Sequence, residues 1–268
     1  MSVKYTVSVM LSAIVLLAVA CSKKDHGVIT RPTIPATDQQ TVRLKEMVVQ
    51  NEPTPHFAFT YNDSAYVSTI SFAANLFTYR YFYKDRRIDS VSTSSTDGTY
   101  LLYRYEGELV TSIEQYDRDG LAMIVAIGYD KRNRVTNIEW KPLTSGIPKT
   151  TTFEYYGNGN LYAMKTVYPA SKTISLVSFE AYDDQKNVEG FAVFKDFFDH
   201  MTFLPAVKFQ YNNPTKVSII RGNNRIELQH EYTYKDSLPV QQKTTAQITD
   251  GSGKAQTLTG LTTYSYFE

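Results

Sequence analysis

Metal and acid–base chemistry need His, Asp, Glu or Cys gathered at short range, and this sequence gathers few of them. Its histidines, His26, His56, His200 and His230, are scattered along the chain. The densest group of ligand-type residues is Asp196, Asp199 and His200. At that spacing they share one face of a helix and could hold a divalent ion, although a solvated helix face explains them more simply. Asp183-Asp184 could supply half of a glycoside hydrolase's carboxylate pair, but it falls at a turn, where Asp is favoured for its backbone hydrogen bonds. Gly157-Asn158-Gly159 lacks the helix and Lys that follow a phosphate-binding loop. These residues lead us to expect no catalytic constellation, no metal and no cofactor.

Cys21 stands alone, so neither an internal disulfide nor a cysteine zinc site is available to it. Its position carries its chemistry. Residues 1–20 hold basic Lys4, an apolar run from Tyr5 to Ala20, and small residues Ala18-Val19-Ala20 before the cysteine, the layout of a secretory signal peptide. Thr6, Ser8 and Ser12 interrupt the run, which is short of the roughly 20 apolar residues of a membrane-spanning helix. Leu17-Ala18-Val19-Ala20-Cys21 resembles a bacterial lipoprotein signal, with its Leu four rather than three residues before the cysteine. The resemblance implies a diacylglyceryl group on the Cys21 thiol, cleavage before Cys21, and a membrane partner reached through that lipid. Ser22-Lys23-Lys24-Asp25 resembles the mature start of lipoproteins from Bacteroides-type bacteria, whose charges after the cysteine favour surface export. Residues 21–40, with Pro32 and Pro35, read as a flexible tether.

The remainder, 41–268, reads as a single β domain built from one hairpin written many times. Tyr is abundant, at 21 residues, with 14 Phe, and both fit pleated surfaces. The clearest copy is Gly128 to Trp140: a strand ending at Tyr129, a turn over Asp130 to Arg134, and a return strand with Val135 and Ile138. Similar units place Tyr61, Tyr83, Tyr105, Tyr129, Tyr155, Tyr182, Tyr211 and Tyr234 as aromatic anchors, 22, 22, 24, 26, 27, 29 and 23 residues apart. Asn158-Gly159 reads as a type I′ hairpin turn. Tyr-x-Tyr puts two rings on one face, and the residues between them are polar: Thr60, Arg80, Arg104, Glu154, Gln210, Thr233 and Ser265. The aromatic face is expected inside. Thr263 to Tyr266 ends the chain on half a unit. The fold class expected is therefore all-β, an antiparallel meander forming a strongly curved sheet or open barrel. Phe194, Phe197, Phe198 and Met201 follow a helical period, which predicts one short helix near 193–203 packed into its mouth.

These units resemble the tyrosine-aspartate (YD) repeats of Rhs-type proteins, most closely at Tyr129-Asp130…Asn133-Arg134-Val135…Ile138 and more loosely at Tyr182-Asp183. With the leader, the chain is similar to a family of uncharacterised Bacteroides-type lipoproteins with YD-like repeats. That resemblance implies a porin-like β-fold and brings no catalytic residues. The net charge of +1, from 28 basic and 27 acidic residues, excludes the strong basic excess of a nucleic-acid surface. The expected function is a lipid-anchored envelope module, periplasmic or surface-exposed, that binds a glycan or an envelope protein or acts as a scaffold. The alternatives are an envelope glycan hydrolase and an outer-membrane barrel ending at Tyr264-Ser265-Tyr266-Phe267. The outer-membrane barrel sits poorly with the Arg and Glu opposite the tyrosines.

Overall fold

The computed structural model describes residues 42–94, 98–187, 204 and 207–267. Among them sixteen strands run in order: β1 Arg43–Val49, β2 Phe57–Tyr61, β3 Val67–Phe72, β4 Phe77–Lys84, β5 Arg87–Thr93, β6 Tyr100–Glu106, β7 Leu109–Asp117 and β8 Gly120–Tyr129. They continue as β9 Val135–Pro142, β10 Lys149–Tyr155, β11 Leu161–Tyr168, β12 Thr173–Lys186, β13 Asn212–Arg221, β14 Asn224–Lys235, β15 Leu238–Thr249 and β16 Ala255–Phe267. Each pairs antiparallel with its chain neighbours, and β1 pairs with β16, so the meander closes into a barrel.

Closure corrects the expectation of a curved sheet or open barrel. The half unit at the C-terminus is completed by the start of the domain: Leu44 pairs with Tyr266, Met47 with Tyr264 and Val49 with Thr262. Joining the two edges satisfies the backbone N–H and C=O groups that each would otherwise present to water or to another chain. The helix expected near 193–203 lies outside the described residues, as do Cys21 and the tether.

The interior is filled. Leu44, Phe59, Ile88, Ile113, Ile138 and Leu161 are fully buried, within one cluster that draws on β1 through β13 and β16. Leu204, Val207 and Phe209, upstream of β13, also join it, with Phe209 packed 5.2 Å from Phe153. Opposite this face the wall carries charged pairs. Arg104 is held bidentately by Glu114 across β6 and β7, Glu139 meets Lys141 on β9, and Glu180 meets Lys216 across β12 and β13. Such exposed pairs add little stability. Their position in the middle of strands nevertheless puts charge on the outer wall.

Turn chemistry explains the hairpins. Asn62, Asp130 and Asp250 each accept, on a side-chain oxygen, the N–H groups two and four residues on. The fourth residue of each turn, Ala65, Asn133 or Gly253, is left-handed. Gly159 takes the same place after Tyr156, at φ +91°, so Asn158-Gly159 lies in this longer turn rather than in a type I′ pair. Tighter connections use two left-handed residues, Asp85-Arg86 and Asp236-Ser237.

Candidate functional site

Each hairpin slips its register at its anchor tyrosine. Tyr61 pairs with Val67, Tyr83 with Ile88, Tyr105 with Val110, Tyr129 with Val135 and Tyr155 with Leu161, each past a bulge that skips one residue of the return strand. A bulge interrupts the ladder locally. The tyrosine of the following unit binds the carbonyl there. Tyr83 donates to the Val67 carbonyl at 2.7 Å, Tyr105 to Ile88 at 2.9 Å, Tyr129 to Val110 at 2.8 Å, Tyr155 to Val135 at 2.9 Å and Tyr182 to Leu161 at 2.6 Å. Tyr266 donates to Pro239 at 2.6 Å, and Tyr61 to Leu44 at 2.8 Å. Because Leu44 pairs with Tyr266, the series runs round the barrel and returns to its start. Burial raises the phenol pKa of Tyr61, Tyr83, Tyr129 and Tyr266, and that of Tyr105 to about 12.

The ring changes at one place. Tyr182 pairs with Pro214, but Tyr234, the next tyrosine, donates to Asp183 Oδ2 instead of to a carbonyl. Burial, followed by the hydrogen bond to Asp183, raises the Tyr234 pKa. Asp183 Oδ1 accepts the N–H groups of Gln185 and Asn213, and the Asn213 amide donates to the Tyr234 hydroxyl at 2.9 Å. Asp183 lies within β12, not at the turn expected from the sequence; it accepts the N–H two residues on, as Asp130 does, but takes its second N–H from Asn213. Its second oxygen serves Tyr234, where that of Asp130 serves Arg134.

Amides extend this network. Asn160, fully buried, accepts the N–H groups of Tyr211 and Asn212 on Oδ1 and donates to Asn212 Oδ1 at 2.9 Å. The Asn187 amide donates to the Asn212 carbonyl at 3.1 Å. Together they fasten the segment before β13 across the starts and ends of β11 and β12. Tyr211 is consequently 51% exposed and lies against Gly159, while Gln210 is buried. This corrects two expectations: Tyr211 is no interior anchor and Gln210 is not on the wet face. The missing anchor is Tyr266.

The rim beside this network is aromatic. Tyr162 is 45% exposed and meets Tyr156 edge-on, with ring centroids 5.1 Å apart. Tyr156 in turn donates to the Phe179 carbonyl at 2.9 Å. The sequence reading missed Tyr162, because only the bulge shows that it occupies a position held by Ser68, Asp89, Thr111 and Thr136 in other units.

The structure thus gathers Asp183, Tyr182, Gly159 and Tyr211 into one region. His56 lies elsewhere, between the Phe57 and Phe72 rings, with its pKa lowered by burial against the opposing pull of Glu52. His230 pairs with Thr244. Asp196, Asp199, His200 and His26 lie outside the described residues. Among the described residues no three His, Cys, Asp or Glu side chains come together as a metal site.

No protein-family model and no curated protein matches the sequence. Among solved structures, the chain is similar to a porin-like protein from Bacteroides uniformis, at 16% identity and a TM-score of 0.53, over 84% of this chain and 96% of that one. A chain of the TcdB2-TccC3-Cdc42 complex, at 12% identity and a TM-score of 0.32 over 75% of this chain and 13% of that one, is too distant to inform the reading. What the first likeness establishes is the fold: this all-β antiparallel barrel has a porin-like counterpart.

Proposed function

We propose that the chain is a lipid-anchored envelope module, tethered through Cys21, whose barrel is a rigid water-facing body for binding a glycan or envelope protein or for scaffolding, without enzymatic activity. The observation that carries this reading is the polarity of the barrel. Apolar side chains fill the interior, and ion pairs such as Arg104–Glu114 stand on the outer wall. A porin has the reverse arrangement, an apolar band toward lipid and a polar lumen. Asp183, the carboxylate that best suited a hydrolase, is engaged by Tyr234, Gln185 and Asn213. The leader and Cys21 supply the address. In a lipid-labelling experiment, wild type takes up label and Cys21→Ser does not; equal labelling of both would contradict the tether.

The porin-like fold of the B. uniformis protein favours a second reading, an outer-membrane barrel. It requires the barrel wall itself to hold the protein in the membrane. Retention of Cys21→Ser in washed membranes, with heat-dependent gel migration, would support it over the tethered module.

A further inference from the structure

The repeat departs from its own pattern in the β10–β11 unit, and the departures converge on one rim. The residue skipped at the bulge is Ser68, Asp89, Thr111 or Thr136 in four units, Val240 in the β14–β15 unit and Tyr162 here. The left-handed turn position holds Ala65, Asn133 or Gly253 elsewhere and Gly159 here. Gly159 makes room for Tyr211: an added Cβ would stand 2.9 Å from the ring's Cε2. The result is two large rings in water, Tyr162 at 45% and Tyr211 at 51% exposure.

Neither ring is loose. Tyr162 rests on Tyr156, which is tied to the Phe179 carbonyl. Tyr211 is pinned through its backbone, donating its N–H to Asn160 Oδ1 at 2.7 Å and accepting the Asn187 N–H at 3.0 Å. Aromatic groups fixed in advance lose little freedom when a partner arrives. The nearby carboxylate Glu180 is paired with Lys216 at 2.7 Å, and the Lys208 ammonium stands 5.8 Å from the Tyr211 ring centroid. Asn158, in the same turn as Gly159, accepts the Asn160 N–H on Oδ1 at 3.1 Å and brings its amide to the region, whereas the Asn212 amide is held by Asn160 and the Gln185 carbonyl. A partner suited to this surface has C–H faces for the rings and hydroxyls to accept from the Asn158 amide and the Lys208 ammonium.

We infer that this rim binds a glycan chain, with Tyr162 and Tyr211 each a stacking platform for a sugar ring. The inference deepens the binding reading above and rests on it. The test is affinity electrophoresis of the full chain carrying Cys21→Ser through gels containing xyloglucan, laminarin, pullulan or yeast mannan, followed by calorimetric titration of any glycan that retards it. At least one glycan should retard the protein. Tyr162→Ala and Tyr211→Ala should each weaken binding about tenfold, whereas Tyr162→Phe and Tyr211→Phe should stay within about twofold, since stacking uses the ring and not the hydroxyl. Melting temperatures establish that the variants are folded; if Tyr211→Ala melts early, the Tyr162 pair decides. Retardation by none of the four, or unchanged binding by folded alanine variants, overturns the inference. Capture of an envelope protein without glycan retardation also overturns it, and leaves the broader binding reading standing.

Discussion

The Tyr234 hydroxyl donates to Asp183 Oδ2, at the one place where the series of tyrosine-to-carbonyl bonds around the barrel is interrupted. Seven tyrosines elsewhere reach a carbonyl of the preceding hairpin. Here the strap before β13 intervenes, and a carboxylate from the end of β12 takes over. Asp183 thus holds backbone N–H groups with one oxygen and serves as a rung with the other.

If the two groups act as a unit, their removal is not additive. Asp183→Asn and Tyr234→Phe should each cost about 1–3 kcal/mol, and the double variant should cost less than the sum by at least about 0.5 kcal/mol. Urea unfolding of the four proteins measures this coupling. Strict additivity would mean that the contact carries no energy of its own.

An ordinary rung behaves differently. Tyr129→Phe keeps the ring but leaves the Val110 carbonyl without its side-chain donor, at a cost of about 1–2 kcal/mol. Tyr129→Ala also opens a cavity against the core and should cost roughly 3–5 kcal/mol. Denaturant midpoints for the two variants should fall in that order.

Gly159→Ala tests the rim. The left-handed backbone and the Tyr211 ring both oppose a Cβ, so the variant should lose about 1–2 kcal/mol. Its thermal midpoint should fall further than that of Gly107→Ala, where nothing lies within 4 Å of the added carbon although φ is +60°.

His230 gives the barrel an acid sensitivity. Burial on the inner side of β14 holds its imidazole pKa down to about 4. The unfolded chain takes up that proton below about pH 6.5, and the folded one does not until near pH 4. The contribution is therefore complete above pH 6.5 and is lost as pH falls through that window, up to roughly 3 kcal/mol, with no further loss below it. His230→Gln should flatten this part of the stability profile measured by urea titration at several pH values.

Much of the architecture is legible in the sequence because its signals are local. Asp130 and Asn133 fix their turn within five residues, and Tyr-x-Tyr alternation separates the inner from the wet face. Closure is not local. Nothing near Leu44 announces that it pairs with Tyr266, although the unfinished half unit at the C-terminus was its trace. Tyr211 misled for a related reason. Its spacing fits the repeat, but Asn160 and Asn187 draw its segment across the barrel end and turn the ring outward. The exposed Tyr162 depends on a bulge, which spacing alone does not locate.

The central claim is that this barrel is filled with apolar side chains and wetted outside. The most direct measurement is the behaviour of the full chain carrying Cys21→Ser, purified without detergent and followed by size-exclusion chromatography and amide hydrogen exchange. A filled, water-facing barrel should elute as a soluble, monodisperse species, with slow exchange throughout β4 to β11. Recovery only in detergent micelles, together with ion conductance in a planar bilayer, would contradict it.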